Sequence, residues 1–208
     1  MIERTFNRIF GIGLPKTGTH SLNEALRMLG FNAFHYARSF RKMILSGNYN
    51  FTDEFKGKQW DALTYLGEWH WAQLDEAFPN SRFILGTRSL DTWLESMSVH
   101  YATPPRKGMN TKTTIEIFGT LRFNKSRFTH LHGEHYRRVL EYFSFFPEGR
   151  SKHRGRLLVF PSFELSDADK WERLCKFLEV PVMVGTYPHI QRRYHTKGGK
   201  FLGKRLAK

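Results

Sequence analysis

Short apolar runs alternate with helical patterns along this chain. The first run ends at Ile12, and the helical pattern after it begins near Leu22 and stops at Gly30, where a C′ glycine belongs. Further strands are predicted at residues 31–36, 60–66, 82–87 and 156–161, further helices at 69–78, 90–101, 113–121, 128–146 and 167–179, and a loop or short-helix region at 37–58. Strands that alternate with helices predict an α/β fold with three layers, α/β/α, around a central parallel sheet.

Length and composition favour one domain. The chain has 208 residues, which suits a single α/β domain at residues 1–190 followed by a basic tail at 191–208. Its only cysteine, Cys175, lies in an apolar helical pattern and is predicted to be a small buried hydrophobe. The chain opens without a secretory signal pattern and has no apolar run long enough for a bilayer, so a soluble, cytoplasmic protein is expected.

The charge balance points to an anionic ligand or partner. The formal net charge is +14, and part of it lies in the tail, which faces no acidic residue. The tail could be a solvated disordered end, a contact to an acidic polymer, or a clamp on a cofactor. The charge alone does not choose among these.

The turn from the first strand into the first helix resembles a phosphate-binding loop. Unpaired N–H groups and the positive end of the helix dipole meet in such a turn. Gly13 and Gly18 have the spacing of a Walker A loop, but Lys16 lies inside the loop, and Thr19 follows Gly18 where the Walker lysine would be. An ordinary ATPase or GTPase loop is therefore disfavoured. The alternative to phosphate binding is an ordinary strand-to-helix turn with an exposed lysine.

A second anion-binding pair follows the clearest buried strand, residues 82–87. Arg88 comes directly after that strand, at the edge where open α/β sheets bind ligands, and Ser96 follows eight residues later on the next helix. Arginine is a planar fork suited to phosphate oxygens, and a hydroxyl adds a donor. The alternative is a surface ion pair of Arg88 with Asp91 or Glu95.

The two motifs, in this order, resemble those of sulfotransferases that use 3′-phosphoadenosine-5′-phosphosulfate (PAPS). The similarity runs from about Phe10 to His189. It implies that Arg88 and Ser96 bind the 3′-phosphate and that Lys16 is catalytic. It also implies a phosphosulfate-binding loop made of Pro15, Lys16, Thr17, Gly18, Thr19, His20 and Ser21.

The catalytic base is where the chain departs from that family. Classical members have a histidine at a place that falls near Tyr65 here, and tyrosine is a poor base at neutral pH. Glu68 is the first candidate for the base and Asp61 the second, with His100 and His35 behind them. Glu68 could equally be an acid that stabilises a helix N-terminus. The family's carboxyl-terminal segment that binds the 3′-phosphate, Arg-Lys-Gly-x-x-Gly, is not intact in this chain. Residues 197–200 resemble it only loosely.

A metal site is not expected. The candidate ligands are His130, His132 and His135. No cysteine or carboxylate set completes a site with them, and sulfuryl transfer does not require a metal.

The function expected from the resemblance is sulfuryl transfer from PAPS to a hydroxyl or amine, with release of adenosine 3′,5′-bisphosphate. The acceptor would be a small molecule or a glycan, and neither its identity nor the oligomeric state can be read from the sequence. A nucleic-acid partner is not favoured. The alternatives are a P-loop kinase for a small molecule and an inactive sulfotransferase-like module that binds polyanions.

Overall fold

The architecture is built on a parallel sheet. The computed structural model describes residues 5–52, 54–55, 57–65, 69–101, 114–115, 118–144 and 155–190. The strands of a five-stranded sheet are β1 (Ile9–Gly11), β2 (Ala33–His35), β5 (Ala62–Thr64), β6 (Arg82–Gly86) and β7 (Leu157–Phe160), and an antiparallel hairpin is formed by β3 (Glu54–Phe55) and β4 (Lys58–Gln59). The sheet has the order β2-β5-β1-β6-β7, and all of its neighbouring strands are parallel.

Helices cover both faces of this sheet. They are α1 (Thr19–Met28), α2 (Arg38–Leu45), α3 (Trp71–Ala77), α4 (Leu90–Tyr101), α5 (Lys125–Ser144) and α6 (Asp167–Leu178). Successive strand residues point to opposite faces, so Ile9 of β1 packs with α1 and α6, whereas Phe10 packs with α2, α3 and α5. The predicted three-layer α/β/α fold is confirmed.

Helix ends follow the local signals in the sequence. Gly30 has a φ of +87° just after α1, and its N–H donates to the carbonyl of Arg27. Ser166 caps α6 by accepting a hydrogen bond from the N–H of Asp169. Cys175 is fully buried on the core side of α6, as its pattern predicted, and burial raises the pKa of its thiol.

A buried ion pair joins the helical layer to the sheet. Asp75 of α3 accepts two hydrogen bonds from Arg156, at 2.5 and 2.9 Å, and a third from the hydroxyl of Tyr142 on α5. The Asp75 side chain is 3% exposed and that of Arg156 is 10% exposed. This contact fixes the start of β7 against α3 and α5.

Some predicted elements shift. The region 37–58 contains α2 and most of the β3–β4 hairpin, which ends at Gln59 and whose two-residue strands are too short to leave a periodic pattern. Helix α5 begins at Lys125 rather than 128. The predicted helix at 113–121 lies partly outside the described residues, and the tail at 191–208 lies wholly outside them. The domain boundary at residue 190 therefore stays a prediction.

Candidate functional site

The loop between β1 and α1 has an unusual backbone. Gly18 is the N-cap of α1 with a φ of +86°, and Lys16 has a φ of +70°. A left-handed conformation is easy for glycine but costs a lysine about 1 to 2 kcal/mol. Residues held in such strained conformations cluster at binding and catalytic sites. The backbone conformation therefore indicates a functional site in this loop, in addition to the sequence motif.

Thr17 stabilises the inside of this loop. Its side chain is buried, and its hydroxyl donates to the carbonyl oxygen of Leu14 at 2.7 Å. A Cβ atom placed on Gly13 would lie 2.7 Å from the Thr17 hydroxyl and 2.8 Å from the carbonyl oxygen of Gly86. The Thr17 side chain therefore faces into the loop, and the place of Thr17 in nucleotide binding stays a prediction. Its hydroxyl is used by the loop itself.

A cleft of about 720 Å³ opens at the carboxyl edge of the sheet, a size usual for small-molecule sites. Ser162 and Phe163, which follow β7, contribute to its lining, as do Lys170 of α6 and Tyr187 beyond it. No motif in the sequence identified these four residues. The available signal was that Ser162 and Phe163 directly follow a predicted strand, where parallel sheets bind ligands. The predicted site residues that line the cleft are Pro15, Lys16, Gly18, Thr19, His20, Ser21, Arg88 and Ser96.

Arg88 connects the two predicted phosphate segments. Its Nη1 donates to the carbonyl oxygen of Lys16 at 3.2 Å, and its Nε donates to the hydroxyl of Thr92, also at 3.2 Å. The guanidinium lies 4.5 Å from the ring centre of Phe163. These neutral partners hold the guanidinium at the cleft, where it keeps its charge because arginine is not deprotonated in proteins.

The cleft holds two cations close together. Burial lowers the pKa of Lys16, and the neighbouring Arg88 lowers it further. Burial also lowers the pKa of Arg88, while Glu95 acts in the opposite direction. Two partly desolvated like charges form a place where an anion with more than one charge would be stabilised.

The first turn of α1 adds hydroxyl and imidazole groups. Thr19 Oγ1 lies 3.2 Å from His35 Nε2, and the His20 ring stacks on the His35 ring with centres 3.5 Å apart. Ser21 Oγ accepts a hydrogen bond from the N–H of Ile190 at 3.0 Å, which keeps its own proton available for a ligand. The chain beyond α6 thus returns to the start of α1.

The candidates for the catalytic base differ in whether they lie at the cleft. Asp61 precedes β5, at the opposite edge of the sheet from the loop, and its carboxylate accepts from the N–H of Asn32 at 2.7 Å. The structure does not bring Asp61 to the cleft. His35 and His100 both line it, as does Tyr65 at the end of β5. Glu68 lies outside the described residues.

Two of the three histidines of α5 bind the backbone. His132 Nε2 lies 3.0 Å from the carbonyl oxygen of Arg88, and His135 Nε2 lies 2.9 Å from that of Ile12. His130 is exposed on the same helix. Within the described ranges, no three His, Cys, Asp or Glu side chains gather closely enough to hold a metal ion. The helices that the structure describes also include none with the length and hydropathy needed to cross a membrane.

Comparisons with known proteins show the family to which the chain belongs. An alignment over 212 residues with the Ava biosynthesis cluster protein M of Aspergillus versicolor has 26% identity and covers 88% of this chain and 80% of that protein. The family model described as a sulfotransferase domain matches residues 8–196, which include the loop, the Arg88 segment and every strand of the sheet. The chain therefore belongs to the sulfotransferase domain family.

Proposed function

We propose that the protein transfers the sulfuryl group of PAPS to a hydroxyl or amine and releases adenosine 3′,5′-bisphosphate. The observation that carries the proposal is the joining of the loop to the Arg88 segment, with Arg88 donating to the carbonyl oxygen of Lys16. Lys16, Arg88 and Ser96 line one cleft, so a donor with phosphates at both ends of a nucleoside fits the charges. Family membership gives the sulfuryl chemistry.

In this proposal the loop binds the 5′-phosphosulfate. The N–H groups in the first turn of α1 have no carbonyl partners within the helix and carry the positive end of its dipole. Lys16, Thr19 and Ser21 line the cleft at this turn, where Lys16 would neutralise charge and the Ser21 hydroxyl keeps its proton for a ligand. Arg88 and Ser96 then bind the 3′-phosphate, because the guanidinium fork matches phosphate oxygens.

The reaction proposed is an in-line attack on sulfur. The acceptor oxygen or nitrogen forms a bond to sulfur while the bond from sulfur to the bridging phosphate oxygen breaks. Negative charge grows on that oxygen, where Lys16 and the loop N–H groups would stabilise it. The acceptor's proton goes to a base on the protein.

For the base we propose Glu68, with His35 as the alternative among the described residues. His35 lies at the carboxyl end of β2, lines the cleft and contacts Thr19. The two assignments differ in pH dependence, since a carboxylate loses its function near pH 4 to 5 and an imidazole near pH 6 to 7. A pH profile of kcat/KM for wild type, Glu68→Gln and His35→Gln separates them, because only the variant of the true base lacks the acidic limb.

The acceptor proposed is a small molecule, with an acidic glycan as the alternative that the net charge of +14 keeps open. The name of the Aspergillus relative links that protein to a biosynthesis cluster, which favours the small molecule.

The test is release of adenosine 3′,5′-bisphosphate from PAPS with a panel of phenols, alcohols and amines. We expect Lys16→Ala to reduce turnover about a hundredfold or more while the protein stays folded. Wild-type turnover in purified Lys16→Ala would overturn the assignment of the loop. Turnover of ATP with magnesium, and none of PAPS, would support the kinase instead.

A further inference from the structure

Aromatic side chains of two helices, α4 and α5, donate hydrogen bonds to the backbone of both phosphate segments. Each of these side chains belongs to α4 or α5, and each reaches a carbonyl oxygen in the loop or in the segment at the end of β6. The contacts are Trp93 Nε1 to Pro15 O at 2.8 Å, His132 Nε2 to Arg88 O at 3.0 Å, His135 Nε2 to Ile12 O at 2.9 Å and Tyr136 OH to Gly86 O at 3.4 Å.

The two histidines act as donors in these contacts. A carbonyl oxygen only accepts hydrogen bonds, so the nitrogen that faces it carries the proton. Burial lowers the pKa of His132, and its ring packs against Trp93 and Tyr136 with centres 5.0 and 4.5 Å away. His135 is fully buried, with Trp69 edge-on at 5.0 Å. Both rings are therefore fixed in place by packing as well as by the hydrogen bond.

Holding a carbonyl oxygen fixes the orientation of a whole peptide plane. In a trans peptide the carbonyl and the next N–H point in opposite directions. The contact of His135 with Ile12 therefore turns the N–H of Gly13 away from α5. The contact of His132 with Arg88 fixes the backbone from which the Arg88 guanidinium extends. His135 thus fixes the backbone of the loop, and His132 fixes that of the Arg88 segment.

We propose that His132 and His135 are positioning residues, each for one phosphate of the nucleotide. The assignment rests on the proposed function. His132 sets the direction of Arg88 and so contributes to binding of the 3′-phosphate. His135 sets the backbone of the loop and so contributes to binding of the 5′-phosphate. Neither histidine touches the nucleotide.

The test compares affinities for adenosine 3′,5′-bisphosphate and for AMP, which lacks the 3′-phosphate, by calorimetry. His132→Phe keeps an aromatic ring but removes the donor. It should weaken binding of the bisphosphate about tenfold and leave binding of AMP unchanged, because one partly buried hydrogen bond is lost at the 3′ segment. His135→Phe should weaken both ligands by the same factor, so that their affinity ratio stays that of wild type.

The controls separate positioning from loss of structure. His130→Phe makes the same change on the exposed side of α5 and should alter neither affinity. His132→Gln keeps an amide N–H donor and should restore the affinity ratio. If circular dichroism shows that His132→Phe is unfolded, His132→Asn removes the donor reach with a smaller side chain and takes its place.

The outcomes also distinguish this inference from the proposed function. If wild type prefers the bisphosphate and His132→Phe keeps the full preference, the positioning role of His132 is wrong. An equal affinity of wild type for the bisphosphate and AMP would instead overturn the 3′-phosphate site itself. A loss of the preference in His135→Phe would contradict the division of roles.

Discussion

Lys16 is held in a left-handed conformation, and replacing it by glycine and by alanine measures what that conformation costs. Its φ of +70° lies in the region that favours glycine. Both variants remove the ammonium group and the aliphatic stem. The difference between them therefore reports mainly on the backbone, apart from one methyl group.

The expected difference follows from two opposing effects. Alanine in a left-handed conformation costs about 1 to 2 kcal/mol in the folded state. Glycine costs about 0.4 to 1 kcal/mol through the greater freedom of its unfolded chain. We therefore expect the free energy of unfolding of Lys16→Gly to exceed that of Lys16→Ala by about 0.5 to 1 kcal/mol, or about 2 °C in Tm for a chain of this size.

Urea unfolding of both variants measures this difference, and Gly133 provides the control. A Cβ on Gly133, inside α5, would meet no atom within 4 Å apart from the backbone of its own helix turns. At that helical position alanine should be more stable than glycine by about 1 kcal/mol, which is the opposite sign. If Lys16→Ala proved more stable than Lys16→Gly, the left-handed conformation of Lys16 would be refuted. Both Lys16 variants should lose turnover alike, since both lack the ammonium group.

Two further substitutions test the surroundings of the site. Gly13→Ala should lower the free energy of unfolding by about 3 kcal/mol, because the new methyl group would lie within 3 Å of the Thr17 hydroxyl and of the Gly86 backbone; a urea midpoint equal to that of wild type would contradict this packing. Asp75→Ala should lower it by about 3 to 5 kcal/mol, because it leaves Arg156 buried without its carboxylate partner. A loss below about 1 kcal/mol in the same assay would show that the pair is solvated.

The sequence predicted the parts of this molecule that depend on local pattern. Buried strands, helix stops and the order of the two anion-binding motifs are written in neighbouring residues, so β6, Gly30 and the pairing of Lys16 with Arg88 in one cleft could be anticipated. The edge of the sheet at which they meet follows from parallel strand topology.

The remaining features depend on contacts between distant residues. His135 reaches Ile12 across 123 positions, and no local pattern tells a histidine of this kind from a metal ligand. The direction of the Thr17 hydroxyl depends on how closely Gly13 packs against β6. Asp61 is a different case, because its place near the start of the predicted strand 60–66 already puts it at the amino edge of a parallel sheet, away from the cleft.

The most direct test of the account is a calorimetric titration of wild type and Arg88→Ala with adenosine 3′,5′-bisphosphate, AMP and ATP plus magnesium at one ionic strength. The account predicts that wild type binds the bisphosphate at least about tenfold more tightly than AMP without magnesium, because a charge-assisted contact to the 3′-phosphate adds about 1.5 kcal/mol or more. Arg88→Ala should bind the two ligands alike. Equal binding by wild type, or tight binding of ATP that requires magnesium, would contradict it.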